Sequence, residues 1–250
     1  MNDDETLLRK RFSELSERAD NKGIYFFTNF LALNEQSSLL QMKTRLGSFG
    51  LFGGFPGAER RIACFGNEGS VGYPPSYPVV CVRIAPRSEK YSEELTHRDY
   101  LGALMSLGIT REKLGDIVAD GKSAYLFCID SIAGYICDTL SEVRHTYVDC
   151  TILGELPEIL VQEPPKTAVN VASERIDAVI AAVYRLSRNE AQKLIAQKLV
   201  FVNSVECDSG SGQLSEGDMV TVRHRGRFRF CGMEKTTKKG RLMCGIQKYT

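Results

Sequence analysis

The residues of this chain best suited to chemistry are cations spaced for phosphate. Arg223, Arg225, Arg227 and Arg229 are separated by His224, Gly226 and Phe228. Residues two apart share a face of a regular strand, so the spacing predicts a cationic row, with Gly226 a point where its register can break. A guanidinium offers two parallel N–H donors and fits a phosphate more specifically than a point charge does. A strand edge guarded by solvated charge is the plain alternative. Upstream, Arg188, Gln192 and Lys193 fall on a predicted helix started by Ser187, whose leading amides offer another seat for an anion. Arg175 and Arg185 belong to the preceding helix, and Lys198 and Asn203 follow the second. Three of these have local alternatives: Arg175 in pairing with Asp177, Ser187 in capping its helix, Asn203 in shaping a turn. The run Lys235-Thr236-Thr237-Lys238-Lys239 supplies either outer phosphate contacts or a solvated tail.

These cations belong to a basic module on a mildly acidic body. Residues 171–250 hold 14 Lys and Arg against 8 Asp and Glu, whereas residues 1–170 hold 18 against 23, so excesses of +6 and −5 hide behind a net charge of +1. Such asymmetry points to localised nucleic-acid contact and away from a wholly cationic coat; chance variation in surface charge is the competing explanation. A length of 250 residues suggests two or three domains, and 25% charged residues with 43% hydrophobic ones fit a globular protein.

The elements that must position the cations can be read from periodicity. Residues 4–46 read as helical: Leu7, Leu8, Phe12 and Leu15 form a stripe, Glu5 and Arg9 an i,i+4 pair, and a second helical stretch covers residues 34–46. A glycine-aromatic loop, residues 47–57, precedes a strand at Arg61–Phe65 and a loop at 66–78. Strand Val79–Ile84, helix Arg98–Leu107, strands Asp116–Ala119 and Ala124–Ile129, helix Ser131–Val143 and strand Tyr147–Leu153 follow. This β-α-β-β-α-β order is the ferredoxin-like arrangement shared with RNA-recognition domains. Tyr125 and Phe127 alternate on its third strand and could stack bases or pack under another layer. Gln162-Glu163-Pro164-Pro165-Lys166 reads as a linker. Beyond it come helix Asp177–Tyr184, the helix capped by Ser187 with Glu190 as its capping-box partner, and strands at Val200–Asn203, Met219–His224 and Phe228–Phe230. Leu242–Ile246 is expected to close that sheet. The fold class expected is α+β: a helical N-terminal region with glycine-rich loop and strand (1–77), an RRM-like domain (78–163) and a C-terminal domain (171–250).

Other chemistries lack their residues. No apolar run of about 18 residues predicts a membrane span, and the acidic start Met1-Asn2-Asp3-Asp4-Glu5 is unlike a secretory signal. The eight cysteines form no Cys-x-x-Cys pair and have no histidine at ligand spacing, so reduced thiols in the cytoplasm are expected, with no metal and no cofactor. The 47–57 loop has no Gly-Lys-Ser/Thr ending, and His97-Arg98-Asp99 lacks the other kinase motifs. No catalytic set is expected. Arg60 and Arg61, beside the loop, could face a nucleic acid.

Three segments carry a resemblance. Arg175-Ile176-Asp177, Ser187-Arg188-x-x-Ala191, Lys198-x-Val200-x-Val202-Asn203 and Glu216-Gly217-Asp218 resemble the αL-type RNA-binding domain named after ribosomal small-subunit protein four, over about 75 residues. The run His97–Ile117 resembles the central motif of the YlmH family, and Gly53-Gly54-Phe55-Pro56-Gly57-Ala58-Glu59-Arg60 resembles that family's Gly-Gly-Tyr-x-Gly-Ala-Glu-Arg segment, with Phe55 in place of tyrosine. The resemblance implies a bacterial cytoplasmic RNA-binding protein linked to cell division and to rescue of stalled large ribosomal subunits with peptidyl-tRNA. Its implied partners are structured RNA, namely large-subunit ribosomal RNA and tRNA, and ribosome quality-control factors, bound by a monomer without a membrane. The expected RNA-binding set is Arg175, Arg185, Ser187, Arg188, Gln192, Lys193, Lys198, Asn203, Arg223, Arg225, Arg227 and Arg229. Two other classes compete: an RNA-modifying enzyme, since αL modules are often joined to pseudouridine synthases, and a scaffold for division proteins.

Overall fold

The computed structural model of the chain describes residues 3–236 and 242–249. Much of the Lys235–Lys239 run therefore lies outside the described residues. Contacts divide the chain into two units: Met1–Glu35 with Gln41–Val161, and Gln36–Leu40 with Gln162–Thr250.

The first unit opens with α1 (Asp3–Lys22), which buries Phe12, Leu15 and Ala19 at helical spacing and carries the Arg9–Glu5 pair at 2.8 Å. The helix does not run on as the sequence reading expected. Gly23 adopts a φ of +62°, and the aromatic run Phe26–Leu31 forms strand β1. Aromatic residues fit a half-buried pleated surface, and this override of helical periodicity is what the sequence reading missed. After α2 (Leu33–Gln41), part of the expected glycine-aromatic loop is strand β2 (Phe49–Phe52). It pairs with β3 (Arg61–Phe65), which also pairs with β1, giving a sheet ordered β1-β3-β2. A single-turn helix, α3 (Glu68–Val71), follows.

Next come β4 (Val79–Pro86), α4 (His97–Ser106), β5 (Leu114–Asp120), β6 (Ser123–Ile129), α5 (Asp130–Thr139), β7 (Glu142–Val143), β8 (Thr146–Leu153) and α6 (Glu158–Val161). The antiparallel sheet is ordered β5-β6-β4-β8-β7, so the ferredoxin-like arrangement stands, with the small strand β7 taking the place of the last expected turn of α5. One face packs α4 and α5: Tyr100, Leu104 and Ile136 meet Val82, Ile84, Leu126 and Cys128.

The second unit builds one sheet, ordered β11-β10-β12-β13-β14-β9, from β9 (Lys166–Val171), β10 (Val200–Val202), β11 (Val205–Glu206), β12 (Met219–Val222), β13 (Gly226–Thr236) and β14 (Leu242–Tyr249). Strand β14 does not close the sheet; β9 pairs beyond it, from Leu242↔Val171 to Gln247↔Lys166. The prolines at 164 and 165 mask that strand in sequence, and of its residues only Val171 is buried. Helices α7 (Ile176–Tyr184) and α8 (Arg188–Ala196) cover one face. Ile176, Val179, Ile180 and Val183 present a stripe at i, i+3, i+4 and i+7 to Val200, Val220, Val222, Phe228 and Phe230.

Candidate RNA interface

Two cations of the C-terminal unit converge at the start of α7, and others are spread over its sheet and helices with partners of their own. The point of convergence is Asp177, whose side chain is fully buried (0% exposed) although it lies in the first turn of α7. Two arginines grip its carboxylate. Arg175 donates from Nε to Oδ1 at 3.2 Å and from Nη2 to Oδ2 at 3.0 Å; Arg188 donates from Nε to Oδ2 at 3.1 Å and from Nη2 to Oδ1 at 3.3 Å. The Gln192 amide adds a third donor at 3.0 Å. Burial pushes the Asp177 carboxyl up, but the hydrogen bonds from Arg175, Gln192 and Arg188 outweigh it and hold the group well below the usual carboxylate range. Asp177 therefore stays charged, and one negative charge faces two positive ones. The Arg175 pairing foreseen as a local alternative is present, and it includes Arg188 and Gln192 as well.

The start of α8 is organised differently from the sequence expectation of open amides. Ser187 Oγ accepts from the Glu190 amide at 3.2 Å, while the Glu190 carboxylate accepts from the Ser187 amide and hydroxyl, each at 2.7 Å. The Ser187 amide and hydroxyl, then the charges of Arg225 and Lys193, hold the Glu190 carboxyl below its ordinary value. Ser187 thus has a capping task, and a carboxylate stands where an anion was to be received. Lys193 is exposed on α8, and Arg185 is exposed at the C-cap of α7 with a φ of +54°. Lys248 is a cation the sequence reading missed: it pairs with Phe228 across the sheet, and its ammonium lies 5.2 Å from the centre of the Tyr184 ring.

The four-arginine row is corrected by the geometry of the β12–β13 hairpin. Arg223, His224 and Arg225 form the turn, His224 with a φ of +66°, so only Arg227 and Arg229 lie on β13. Phe228 and Phe230 point into the core, which places Arg227 and Arg229 on the face away from the helices. Arg227 lies over Tyr249, 5.5 Å from the ring centre, and Arg223 lies 5.1 Å from that of Phe201. Arg229 is engaged by Glu163, whose other oxygen accepts from Gln247 at 3.1 Å. Arg225 instead acts on Tyr184 and Glu190 beside the helices. Lys198 pairs with Glu206 at 2.8 Å. Asn203, with a φ of +50°, donates to Asp218 at 2.7 Å and accepts from the Met219 amide at 2.9 Å, as a residue that shapes a hairpin should.

The central sheet of the first unit tells a different story. The face opposite its helices, which carries Tyr125 and Phe127, is covered. Phe55 stacks on Phe127 with ring centres 4.7 Å apart, and Phe30, Ala58, Ile62 and Leu160 complete the layer. The Gly53-Gly54-Phe55 segment explains the closeness: a Cβ on Gly54, whose φ is +100°, would lie 2.3 Å from the Phe127 ring. Arg60, expected as a candidate for facing a nucleic acid, is turned inward. Its Nε donates to the Leu114 carbonyl at 2.9 Å and its Nη2 to those of Phe30 and Arg111 at 3.0 and 3.3 Å, while Arg111 donates to Leu114 and Gly115. Asp116 accepts from the Glu59 and Arg60 amides at 2.6 and 3.0 Å. Burial lowers the pKa of both guanidinium groups, that of Arg111 to about 10 with help from Arg60. Arg61 donates to the Ala58 carbonyl at 2.9 Å. Thus Glu59 and Arg60 fasten the 53–60 segment to residues Arg111, Leu114 and Asp116. The His97-Arg98-Asp99 run starts α4, with Asp99 accepting from the Thr96 amide at 2.8 Å.

Among the described residues no group of three or more His, Cys, Asp or Glu could hold a metal ion, and no helix is long and apolar enough to cross a membrane.

Residues 78–154 match the domain family described as "Putative RNA-binding domain in YlmH", and residues 174–220 match the S4 domain, which contains the Asp177 cluster. The chain is 30% identical over 218 residues to "Ribosome-associated protein quality control protein P2" of Bacillus subtilis, covering 85% of this chain and 82% of that protein. A solved structure, "Cell division protein ylmH from Streptococcus pneumoniae", aligns at 18% identity with a TM-score of 0.49 over 61% of this chain and 93% of that one. On the two domain matches and the Bacillus subtilis relative, the chain belongs to the YlmH-like family, with the family's central domain match followed here by a C-terminal S4 match.

Proposed function

We propose that this protein is a cytoplasmic RNA-binding factor that engages the large ribosomal subunit together with tRNA, in quality control of stalled translation. It acts as a monomer by stoichiometric binding, not by turnover. The observation that carries the reading is the pair of half-exposed arginines, Arg175 and Arg188, held at one buried carboxylate inside the S4 match. Arginine forks of this kind suit RNA phosphates, which supply most of the affinity in such interfaces. The exposed Arg185 and Lys193 of the helix pair, Arg225 and Lys248 beside Tyr184, and Arg223 and Arg227 beside Phe201 and Tyr249 would add further phosphate contacts. The name of the Bacillus subtilis relative supports the ribosomal address.

Crosslinking in cells followed by sequencing of the attached RNA tests this reading. Enrichment of large-subunit ribosomal RNA and tRNA is expected. Recovery of protein partners alone would contradict it, and conversion of uridine to pseudouridine by the purified protein would replace it with an enzyme.

A further inference from the structure

We infer that Asp177 is a positioning residue that presets Arg175 and Arg188 as a double fork for an RNA phosphate. The inference rests on the RNA-binding reading of the S4 match and says how that surface is built. A guanidinium has five N–H donors. Arg175 and Arg188 each give two to Asp177, through Nε and Nη2, and keep Nη1 and the second Nη2 hydrogen for another acceptor. The burial is graded in the same sense: the Asp177 side chain is 0% exposed, those of Arg175 and Arg188 39% and 48%. One carboxylate cannot neutralise two guanidinium groups, so a positive charge remains at the surface with its side chains already ordered. An arginine free in solvent loses rotamer freedom on binding, and prior fixation removes that cost.

The backbone around Asp177 is arranged to keep the carboxylate dry. The Ile176 amide donates to the Gly212 carbonyl at 2.9 Å and the Asp177 amide to that of Gly210 at 3.2 Å. Gly210 comes so near that a Cβ there would lie 2.9 Å from both Asp177 Cβ and Ile195 Cδ1. Gln192 closes a further side. A buried ion pair is a poor device for stability alone, since apolar side chains of similar volume do as well. An arrangement that buries the anion and leaves both cations half out serves orientation.

Charge and orientation make opposite forecasts for Asp177→Asn, which deletes a negative charge near the RNA. Charge alone forecasts equal or tighter binding; positioning forecasts binding weaker by about tenfold, the value of one charge-assisted contact. The whole 250-residue chain would be titrated with deproteinised large-subunit ribosomal RNA at several salt concentrations, with thermal melting to confirm the fold. Arg188→Lys is the second variant, at a half-exposed position: it keeps the charge, loses the two-point grip, and should weaken binding several-fold. If Asp177→Asn fails to fold, Arg188→Lys decides. Arg188→Ala should cost less affinity in the Asp177→Asn background than in the native one, because both act through one fork. Native affinity in Asp177→Asn and Arg188→Lys, with weakened binding in Arg188→Ala, would overturn the positioning role and leave the RNA-binding reading intact. Native affinity in Arg175→Ala and Arg188→Ala as well would overturn both.

Discussion

The two units use arginine in opposite ways. In the first, Arg60 and Arg111 point inward, give their donors to backbone carbonyls, and fasten the 53–60 segment over the central sheet. In the second, Arg175 and Arg188 converge on one buried carboxylate and keep part of each guanidinium in solvent. The difference lies in what is left over. Carbonyls satisfy hydrogen bonds without offering a new surface, whereas two cations on one anion leave charge to spend. A ferredoxin-like sheet therefore need not expose a base-stacking face: here Phe55 covers Phe127 and that face is core.

The largest effect is expected at the covered face. Phe127→Ala should cost about 3–5 kcal/mol of stability, seen as a large fall in melting temperature. Below that temperature its RNA affinity should match that of the native protein; a base-stacking residue would show the reverse, a small stability cost with a large loss of affinity. Arg188→Ala comes next in size. It should weaken RNA binding by about 1–2 kcal/mol and lower the salt slope by about one unit, with the protein still folded. Arg227→Glu probes the outer sheet face. Its effect should be clear at low salt and shrink as salt rises, because Arg227 is only partly buried and screening reaches it. Glu163→Gln should have the smallest effect on binding, a gain of less than about threefold as Arg229 is released from its ion pair.

The buried Asp177 carboxylate also makes stability depend on pH. The folded pKa of Asp177 is depressed from its ordinary 3.8, so its contribution to stability is present above that value and is lost as pH falls through the depressed one. The native protein should therefore lose stability on acidification below about pH 4 more steeply than Asp177→Asn, measured by urea unfolding at each pH.

Much of the architecture was legible because its signals are local. The stripe Ile176, Val179, Ile180 and Val183, the Ser187–Glu190 capping box and the alternation around β6 each follow from neighbours in sequence. What escaped depends on distant partners. Strand β1 hid within a helical pattern until β3 paired with it, and β9 hid behind two prolines until β14 supplied its register. The candidate site shows the same division. The relevant cations could be picked out by type, but the meeting of Arg175, Arg188 and Gln192 at Asp177 depends on the turn between α7 and α8 and on the approach of Gly210. The register break allowed for at Gly226 comes just before it, where the hairpin turn takes Arg223 and Arg225 out of the strand.

Under the proposed function RNA meets the C-terminal unit and not the covered sheet face of the first. Photo-crosslinking of the protein to purified large ribosomal subunits, with the attached residues mapped by mass spectrometry, tests it directly. Attachment sites are expected at or beside Arg175, Arg185, Arg188, Lys193 and Arg225, and none at Tyr125 or Phe127. Crosslinks concentrated on Tyr125 and Phe127, with the Asp177 surface untouched, would contradict it.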